Sequence, residues 1–380
     1  MTGRERIQAA FHCAATDRVP IFEQSIATQV ASEVVGRRIN VGGGGFRRDG
    51  LEAALAGPEA QARFNEQLVH DLVDLFRAVP LDMFRPPWRM TARPDRKLGE
   101  NTYLFGHPSG EFEIVRYDPS SDQLHTIDSD VRRGGVAVLE AKLERAFAEE
   151  QPEPTPDPYR CDLLDRFRAE LGEDVALGAS CGMLMVPMQA EYLQLMLLRP
   201  DLIERMLEGQ MRQGLADIEE AARHRVDVIV GGGDLATNHG PVYSPALFKG
   251  LLLPRLKRIV ARCNELGLYY MWRTDGVIWP IAESLFVEAG CHAYGEIDAQ
   301  AGMDLGEIKA RYPQLVVWGG LDCGKVLSGW SVEEVKAETR RVIDQCRPYG
   351  GHILGSSNSI HAGVAARNFL AMIEAAVEYG

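Results

Sequence analysis

Ionisable residues follow an apolar run at positions 269–276, where the sequence reads YYMWRTDG. Such a run fits a parallel β-strand covered on both faces, and ligands of parallel α/β folds bind beyond the carboxyl ends of the strands. Arg273 and Asp275 would then lie at a binding edge, where they could provide a positive charge and a proton. In the alternative interpretation, Arg273 and Asp275 form an ion pair that only stabilises a loop.

The same order of apolar run and polar tip occurs four more times in the C-terminal half, at residues 226–230, 291–294, 315–318 and 352–354. An amphipathic helical pattern follows the runs. This alternation predicts a parallel α/β architecture, and in a (β/α)8 barrel the catalytic groups come from the C-terminal ends of several strands. The polar residues after these four runs are Asp234, His239, Glu296, Asp322, Asn358 and His361.

The N-terminal half is less regular but contains three further strand candidates. These runs and their polar ends are residues 19–22 with Glu23, residues 81–84 with Arg85, and residues 174–180 with Ser180. Two short β-like runs between Tyr103 and Val115 flank a turn and predict a hairpin near the barrel mouth. That hairpin could exclude water from the site or be an edge element without a role.

Local signals mark the ends of helices. Ser244 ahead of a proline predicts an N-cap, Pro254 is expected to kink the helix that follows, and Ser331 with Glu334 forms a capping-box pattern. The four glycines at 42–45 lack the lysine and hydroxyl residue of a phosphate-binding loop, so they predict a flexible loop.

The composition indicates a compact protein with one large core. The chain has 380 residues, is 46% hydrophobic and carries a formal charge of −13, so nucleic acids and anionic membrane surfaces are unfavourable partners. No apolar run reaches the roughly 18 residues of a membrane span, and the N-terminus has no apolar signal segment. We therefore expect a cytoplasmic protein with a single domain over residues 1–380. A homo-oligomer is compatible with the sequence.

Seven cysteines without a CxxC pair indicate neither a disulfide framework nor a zinc knuckle. Asp275, His239, Glu296, His361 and Cys323 could form a metal site, but no pair of them shows diagnostic ligand spacing. We therefore predict no bound metal, and zinc is possible but not indicated.

Several short motifs resemble the uroporphyrinogen decarboxylase superfamily in their order and spacing. They are RER at 4–6 with DRVP at 17–20, GPVYSP at 240–245, WGGLD at 318–322 and GGHIL at 350–354. The resemblance spans nearly the whole chain and implies a (β/α)8 TIM barrel with an N-terminal helical extension. The superfamily includes porphyrinogen decarboxylases and methyltransferases that exchange methyl groups with a corrinoid cofactor.

Departures from the family patterns distinguish between these branches. The decarboxylases carry an arginine-bearing motif after the first strand and a histidine at the tip of the last strand, where this chain has Glu23 and Asn358. Because a carboxylate would repel a polycarboxylate substrate, heme-pathway decarboxylation is disfavoured. Members that methylate coenzyme M bind zinc through a His-x-Cys pair, where this chain has Arg273 and Asp275, and arginine does not ligate zinc.

The remaining branch implies a methyltransferase that moves a methyl group from a methoxylated aromatic or a methylated amine to a corrinoid carried by a partner protein. A leaving heteroatom develops negative charge unless the substrate is already cationic, so the site needs an acid or a cation beside it. Arg273 could be the cation, His239 is the preferred acid, and Asp234, Asp275 and Glu296 are further candidates for proton delivery. The predicted substrate-binding residues are Glu23, Ser180, Trp272, Tyr294, Asp322, Asn358 and His361.

Three alternatives stay open at this point. The chain could be a uroporphyrinogen decarboxylase-like carboxy-lyase that acts on a small acid, or a non-catalytic barrel that binds a metabolite. His239 could cap the helix that begins near Ser244 instead of acting as an acid.

Overall fold

The computed structural model describes residues 1–90, 92–148 and 152–380. Its helices are α1 (Gly3–Phe11), α2 (Thr28–Val35), α3 (Gly43–Ala56), α4 (Pro58–Ala78), α5 (Asp130–Ala146), α6 (Leu164–Leu171), α7 (Ala190–Leu198), α8 (Pro200–Arg223), α9 (Pro245–Leu247), α10 (Leu253–Glu265), α11 (Leu305–Arg311), α12 (Val326–Gly329), α13 (Val332–Cys346) and α14 (Ala366–Tyr379). Its strands are β1 (Met83–Phe84), β2 (Arg96–Gly99), β3 (Thr102–Gly106), β4 (Phe112–Asp118), β5 (Gln123–Ser129), β6 (Ala176–Ala179), β7 (Val228–Val230), β8 (Ala236–Thr237), β9 (Gly240–Pro241), β10 (Tyr269–Arg273), β11 (Ala293–Gly295), β12 (Val316–Leu321) and β13 (His352–Ser356).

Seven parallel strands and one shorter segment form a closed ring. The strands are hydrogen-bonded in the order β1, β6, β7, β10, β11, β12, β13. Ile21 closes the ring: it pairs in parallel with Leu354 of β13, and its carbonyl accepts a hydrogen bond of 2.9 Å from the backbone N–H of Asp82, just before β1. The predicted (β/α)8 barrel is therefore confirmed, although its first segment forms only a single bridge.

The side chains of the strands divide into two apolar groups. Residues that point into the barrel include Met271 of β10, Ala293 of β11 and Trp318 of β12, and these form one buried cluster. The neighbouring residues Trp272 and Tyr294 belong to the larger cluster between the strands and the surrounding helices. This alternation is the two-residue period of a β-strand, and it decides which strand residues can reach the barrel lumen.

Helix α1 is the predicted N-terminal helical extension, and it packs across the bottom of the barrel. Ile7 and Ala10 of this helix join the interior cluster. A capping box between Thr2 and Glu5 starts the helix. Arg6 then forms an ion pair of 3.1 Å with Asp82 beside the barrel.

The predicted hairpin is present within a larger antiparallel sheet. Strands β3 and β4 pair with Tyr103 opposite Val115, and β2 and β5 extend this pair to four strands in the order β2, β3, β4, β5. The sheet belongs to the long connection that leaves the barrel at the C-terminal end of β1. Its turn at Asp122 packs on the first residues of α3.

The prediction of a flexible loop at Gly42–Gly45 is wrong, because α3 begins at Gly43. The backbone N–H of Gly44 donates to the carbonyl of Asp122, and that of Gly45 donates to the Asp122 carboxylate at 2.7 Å. A Cβ on Gly44 would lie 2.2 Å from the carbonyl oxygen of Asp122. The glycines therefore permit a close approach between a helix N-terminus and a turn.

Helix punctuation agrees with the sequence signals. Ser244 accepts a hydrogen bond from the N–H of Leu247 as the N-cap of α9, and Ser331 with Glu334 forms a capping box on α13. The irregularity expected at Pro254 takes the form of a π-helical turn, Phe248–Leu252, immediately before α10. Across the described ranges, all seven cysteines are free thiols, and no helix is both long and apolar enough to cross a membrane.

Candidate active site

Polar side chains from six strand ends meet at the C-terminal mouth of the barrel. They form two series of hydrogen bonds, called here the first and the second hydrogen-bonded chain. The first one begins at Ser180, after β6. Arg85, which follows β1, donates from Nη1 to Ser180 Oγ and from Nη2 to the carbonyl of Gln24 at 2.8 Å. Gln24 Nε2 donates to the carboxylate of Glu296. Arg273 Nη1 lies 3.3 Å from both oxygens of the same carboxylate.

The second chain connects Glu23 to Asp275. The Glu23 carboxyl lies 2.7 Å from the backbone N–H of Ser356, which donates to it, and 2.6 Å from the Ser356 hydroxyl. The same hydroxyl lies 2.9 Å from the carbonyl of Asn358, whose side-chain Nδ2 donates to Asp275 at 3.3 Å. The two chains run side by side because Glu23 and Gln24 are consecutive residues.

Glu23 carries a proton at neutral pH. Burial raises its pKa from 4.5 to about 8, although the hydrogen bonds from Ser356 act in the opposite direction. A protonated Glu23 also satisfies its neighbours better, because it can donate to the Ser356 hydroxyl while that hydroxyl donates to Asn358. An ionised Glu23 would compete with the Asn358 carbonyl for the single proton of Ser356.

Two further carboxyl groups of the mouth have a raised pKa. Burial is the main cause for Glu296, with Arg273 and Gln24 opposing the shift and Asp234 adding to it. Burial also raises the pKa of Asp275, and the negative charges of Asp234 and Asp298 raise it further. Asp275 is half-buried, whereas Glu296 is almost fully covered, so Asp275 is the more accessible proton donor.

The backbone conformation of Glu296 contributes to the geometry of the first chain. Its φ of 63° lies in the left-handed region, which costs free energy for a residue with a side chain and occurs often at functional sites. The preceding Gly295 has no side chain, and a Cβ there would lie 2.1 Å from the Trp318 ring. A Cβ on Gly355 would also be too close to Trp318, at 2.5 Å from Nε1. The Trp318 indole thus forms an apolar floor beneath the polar cluster.

Arg273 has hydrogen-bond donors that no described group of the protein uses. Its Nη1 serves Glu296, but its Nε and Nη2 have no hydrogen-bond partner among the residues that the structure describes. The side chain is 19% exposed, so these donors can reach a ligand at the mouth. The glycine at 232 lets the chain after β7 pass close to this strand end, since a Cβ there would lie 2.3 Å from the Arg273 carbonyl.

A family model for uroporphyrinogen decarboxylase (URO-D) matches residues 134–379 of this chain, well over half of its length. The chain belongs to the URO-D family. The matched range contains the strand ends that carry Ser180, Arg273, Asp275 and Glu296. Glu23, Gln24 and Arg85 lie outside that range.

One solved structure is similar over its full length. It is a methyltransferase from Methanosarcina mazei with a TM-score of 0.67 and 17% identity, and the match covers 100% of this chain and 99% of that one. At this identity the similarity shows a shared fold. Weaker similarities include a sugar phosphate isomerase/epimerase from Parabacteroides distasonis (TM-score 0.31, 10% identity, 56% of this chain and 73% of that one) and a D-tagatose 3-epimerase-like protein (TM-score 0.35, 14% identity, 62% and 92%). Among curated proteins, no match is found.

The mouth of this URO-D family barrel contains many of the residues expected from the sequence. Six of them belong to the two hydrogen-bonded chains. Asp234 is the seventh, and its negative charge raises the pKa of Asp275 and Glu296. These seven residues are Glu23, Ser180, Asp234, Arg273, Asp275, Glu296 and Asn358.

Three other predicted residues lie outside the cluster. His239 occupies the exposed turn between β8 and β9, where its backbone N–H donates to Thr237. The Asp322 carboxylate accepts from the N–H of Lys325 within its own turn, and the His361 ring accepts from the N–H two residues later. Within the described ranges, none of these three residues forms a side-chain hydrogen bond or an ion pair with a member of the two hydrogen-bonded chains at the mouth. The preferred acid, His239, therefore has no geometric support.

Trp272 and Tyr294 do not line the mouth. Both are fully buried and belong to the layer between the strands and the helices, because they alternate with the inward-facing Met271 and Ala293. The prediction that they belong to the site used only their position in the sequence next to the charged strand ends. Their side chains lie on the helix side of the strands. Trp318, which the sequence analysis did not include in the site, is the aromatic residue under the cluster.

Sequence reasoning also did not nominate Gln24, Arg85 and Ser356 as site residues. Each follows or ends a barrel strand, which is the same signal that selected Arg273 and Asn358. Arg85 ends the apolar run at residues 81–84, but a local pattern does not show which residues are its neighbours in the fold. Across residues 1–90, 92–148 and 152–380, no group of three or more His, Cys, Asp and Glu residues has a geometry that could hold a metal ion.

Proposed function

We propose that this URO-D family member is a methyltransferase that moves a methyl group from a small methylated substrate, a methoxylated aromatic or a methylated amine, to a corrinoid carried by a partner protein. One observation carries the proposal. The accessible, protonatable carboxyl of Asp275 and the unused donors of Arg273 share one strand end at the barrel mouth. The fold shared with a methyltransferase gives additional support.

The proposed reaction displaces the methyl carbon from an oxygen or nitrogen atom. With a methoxylated aromatic, the oxygen leaves with developing negative charge, and a proton from Asp275 neutralises it. Arg273 stabilises the same charge electrostatically, which is effective where the surrounding protein excludes water. Asn358 holds the Asp275 carboxyl through its Nδ2, so the donor is oriented before the substrate binds.

Exposed apolar side chains follow two neighbouring strands of the barrel, β1 and β6. Trp88, after β1, is 67% exposed, and Met188, in the connection after β6, is 41% exposed. These two residues would hold the corrin ring of the partner protein. When bound, the corrinoid supplies a reduced cobalt centre as the nucleophile that accepts the methyl group.

The direct test is turnover with reduced corrinoid and a panel of methoxylated aromatics and methylated amines. We expect the demethylated product to form in proportion to the loss of the reduced-corrinoid absorbance. Arg273→Ala should lower kcat/KM at least 100-fold while the melting temperature stays close to that of the wild type. A lack of demethylated product across the panel, or near-normal activity of the Arg273 variant, would contradict the proposal.

A second candidate function is a carboxy-lyase acting on a small acid. The observation in its favour is the position of Arg85 close enough to Arg273 that the Arg273 charge lowers the pKa of Arg85. Two guanidinium groups could hold a carboxylated substrate. Release of carbon dioxide without methyl transfer would favour this candidate, and a rise in melting temperature without any turnover would favour a binding protein.

A further inference from the structure

A thiol and an amine meet at the N-terminal end of the barrel, opposite to the mouth. Cys13 follows α1, and Lys309 belongs to α11, the helix before β12. A Cβ on Gly351, just before β13, would lie 2.8 Å from the Cys13 sulfur Sγ and 3.1 Å from the Lys309 nitrogen Nζ. Because Gly351 has no side chain, the sulfur and the nitrogen share this small space.

The loop between α11 and β12 holds both groups. Lys309 Nζ donates to the backbone carbonyls of Pro313 at 2.8 Å and Leu315 at 2.6 Å. Cys13 Sγ is a weak donor that lies 3.8 Å from the same Pro313 carbonyl and 3.7 Å from the carbonyl of Gln314. The thiol and the amine therefore have one acceptor in common.

Lys309 is unusual among the lysines of this chain. Its side chain is fully buried, and among the described residues it forms no ion pair within 4 Å, since its hydrogen bonds go to carbonyls. Lysine is rarely buried in this way without a charged partner. Burial lowers the pKa of Lys309, and the thiols of Cys13 and Cys346 oppose the shift. A lowered pKa increases the fraction of neutral amine, which is the nucleophilic form.

Cys13 is open to solvent, unlike most of the other thiols. Across the described ranges, Cys13 and Cys323 are partly exposed, and the other five cysteines are buried. The φ of 49° at Cys13 lies in the left-handed region, which is uncommon for a residue with a side chain and occurs often at functional sites. Since oxidation of cysteine depends on exposure, a dissolved oxidant can reach this sulfur while the neighbouring amine stays covered.

We propose that oxidation by a peroxide joins Cys13 to Lys309 through a reversible sulfur–nitrogen bond, a sulfenamide, at the N-terminal end of the barrel. Cys13 and Lys309 then form a modification site that is independent of the proposed function. The bond would fix the segment after α1 to α11. The flexible four-carbon stem of lysine allows the nitrogen to move to the sulfur while the helix stays in place.

The reaction has two steps. In the first, the peroxide O–O bond breaks, the Cys13 thiol becomes a sulfenic acid and one water leaves, so that sulfur loses two electrons and the peroxide gains them. In the second, the neutral Lys309 amine attacks the sulfur. The S–N bond forms, the S–O bond breaks, and the hydroxyl group leaves as a second water with a hydrogen from the amine. A dithiol reverses the modification, because it returns two electrons and restores the thiol and the amine.

The test is a peptide map of the full-length protein after treatment with hydrogen peroxide, digested without reductant and measured by mass spectrometry. We expect a linked pair of peptides that contain Cys13 and Lys309, lighter by two hydrogen atoms than the two peptides together. The pair should be absent before treatment and lost after dithiothreitol. Cys13→Ser and Lys309→Arg should each abolish it. Arginine keeps donors for the loop carbonyls but stays protonated, so in Lys309→Arg the oxidised Cys13 should remain a sulfenic acid that a cyclic diketone traps.

Cys323→Ser is the matched control, because it removes the other partly exposed thiol, whose sulfur lies 3.6 Å from the Ser357 hydroxyl. This variant and Cys346→Ser should both leave the yield of the linked pair unchanged. If Lys309→Arg does not fold, the wild-type map and Cys13→Ser still decide the question. Oxidation of Cys13 with Lys309 unlinked, a disulfide between Cys13 and Cys346, a linked pair of any other mass, or an unmodified Cys13 would overturn the inference.

Discussion

Glu23→Gln should remove a large part of the pH dependence of stability. The Glu23 pKa rises from 4.5 to about 8 on folding, because its carboxyl is buried against Ser356. The folded state therefore binds more protons than the unfolded state between these values, so the stabilising contribution is fully present below pH 4.5. It is lost progressively as the pH rises to about 8.

The size of the effect follows from the same two values. At 1.36 kcal/mol per pH unit, a rise from 4.5 to about 8 corresponds to about 5 kcal/mol, of which about 4 kcal/mol falls between pH 5 and pH 9. Glutamine imitates the protonated acid: its oxygen can accept from the Ser356 N–H, and its amide can donate to the Ser356 hydroxyl. The free energy of unfolding of Glu23→Gln should therefore lack this contribution.

Urea unfolding of both proteins at pH 5, 7 and 9 measures the difference. Other groups titrate in this range, notably His352, whose pKa is lowered by burial to about 4 and whose contribution has the opposite sign. Their contributions cancel when the variant is subtracted from the wild type. We expect the wild type to lose about 4 kcal/mol relative to Glu23→Gln between pH 5 and pH 9. Parallel curves for the two proteins would refute the assignment of a protonated Glu23.

Two further predictions concern the proton donor and the floor of the site. Asp275→Asn should lower the rate of demethylation of a methoxylated aromatic by about 10²–10³-fold, since it removes the proposed proton donor; a change of less than tenfold in single-turnover product formation would exclude Asp275 from that role. Gly355→Ala should lower the free energy of unfolding by about 3 kcal/mol, because the new Cβ would lie 2.3 Å from the Phe22 carbonyl. Gly209→Ala, in α8 with open space around it, is the matched control and should be neutral or stabilising by up to about 1 kcal/mol in the same denaturation experiment.

Much of the fold could be predicted from the order of patterns along the chain. Apolar runs that end in small and polar residues identified the strands of the C-terminal half, with ends that differ from the observed ones by a few residues. Capping signals at Ser244 and Ser331 also identified helix starts correctly, because caps depend on residues close in sequence. The prediction of a flexible loop at the glycines 42–45 was wrong, because their role depends on a contact with Asp122, which is distant in the sequence.

The sequence by itself determined that polar residues follow the strands, and therefore that Arg273, Asp275 and Glu296 gather at one end of a barrel. Parallel strands have their carboxyl ends on the same side, so this result needs no knowledge of packing. Only the tertiary structure decided which side chains face the lumen, which excluded Trp272 and Tyr294 and included Trp318. It also decided that Arg85 is buried with neutral hydrogen-bond partners, Ser180 and Gln24, and that Glu23 is protonated. Burial and electrostatic interactions depend on neighbours from distant parts of the chain, and no local pattern records them.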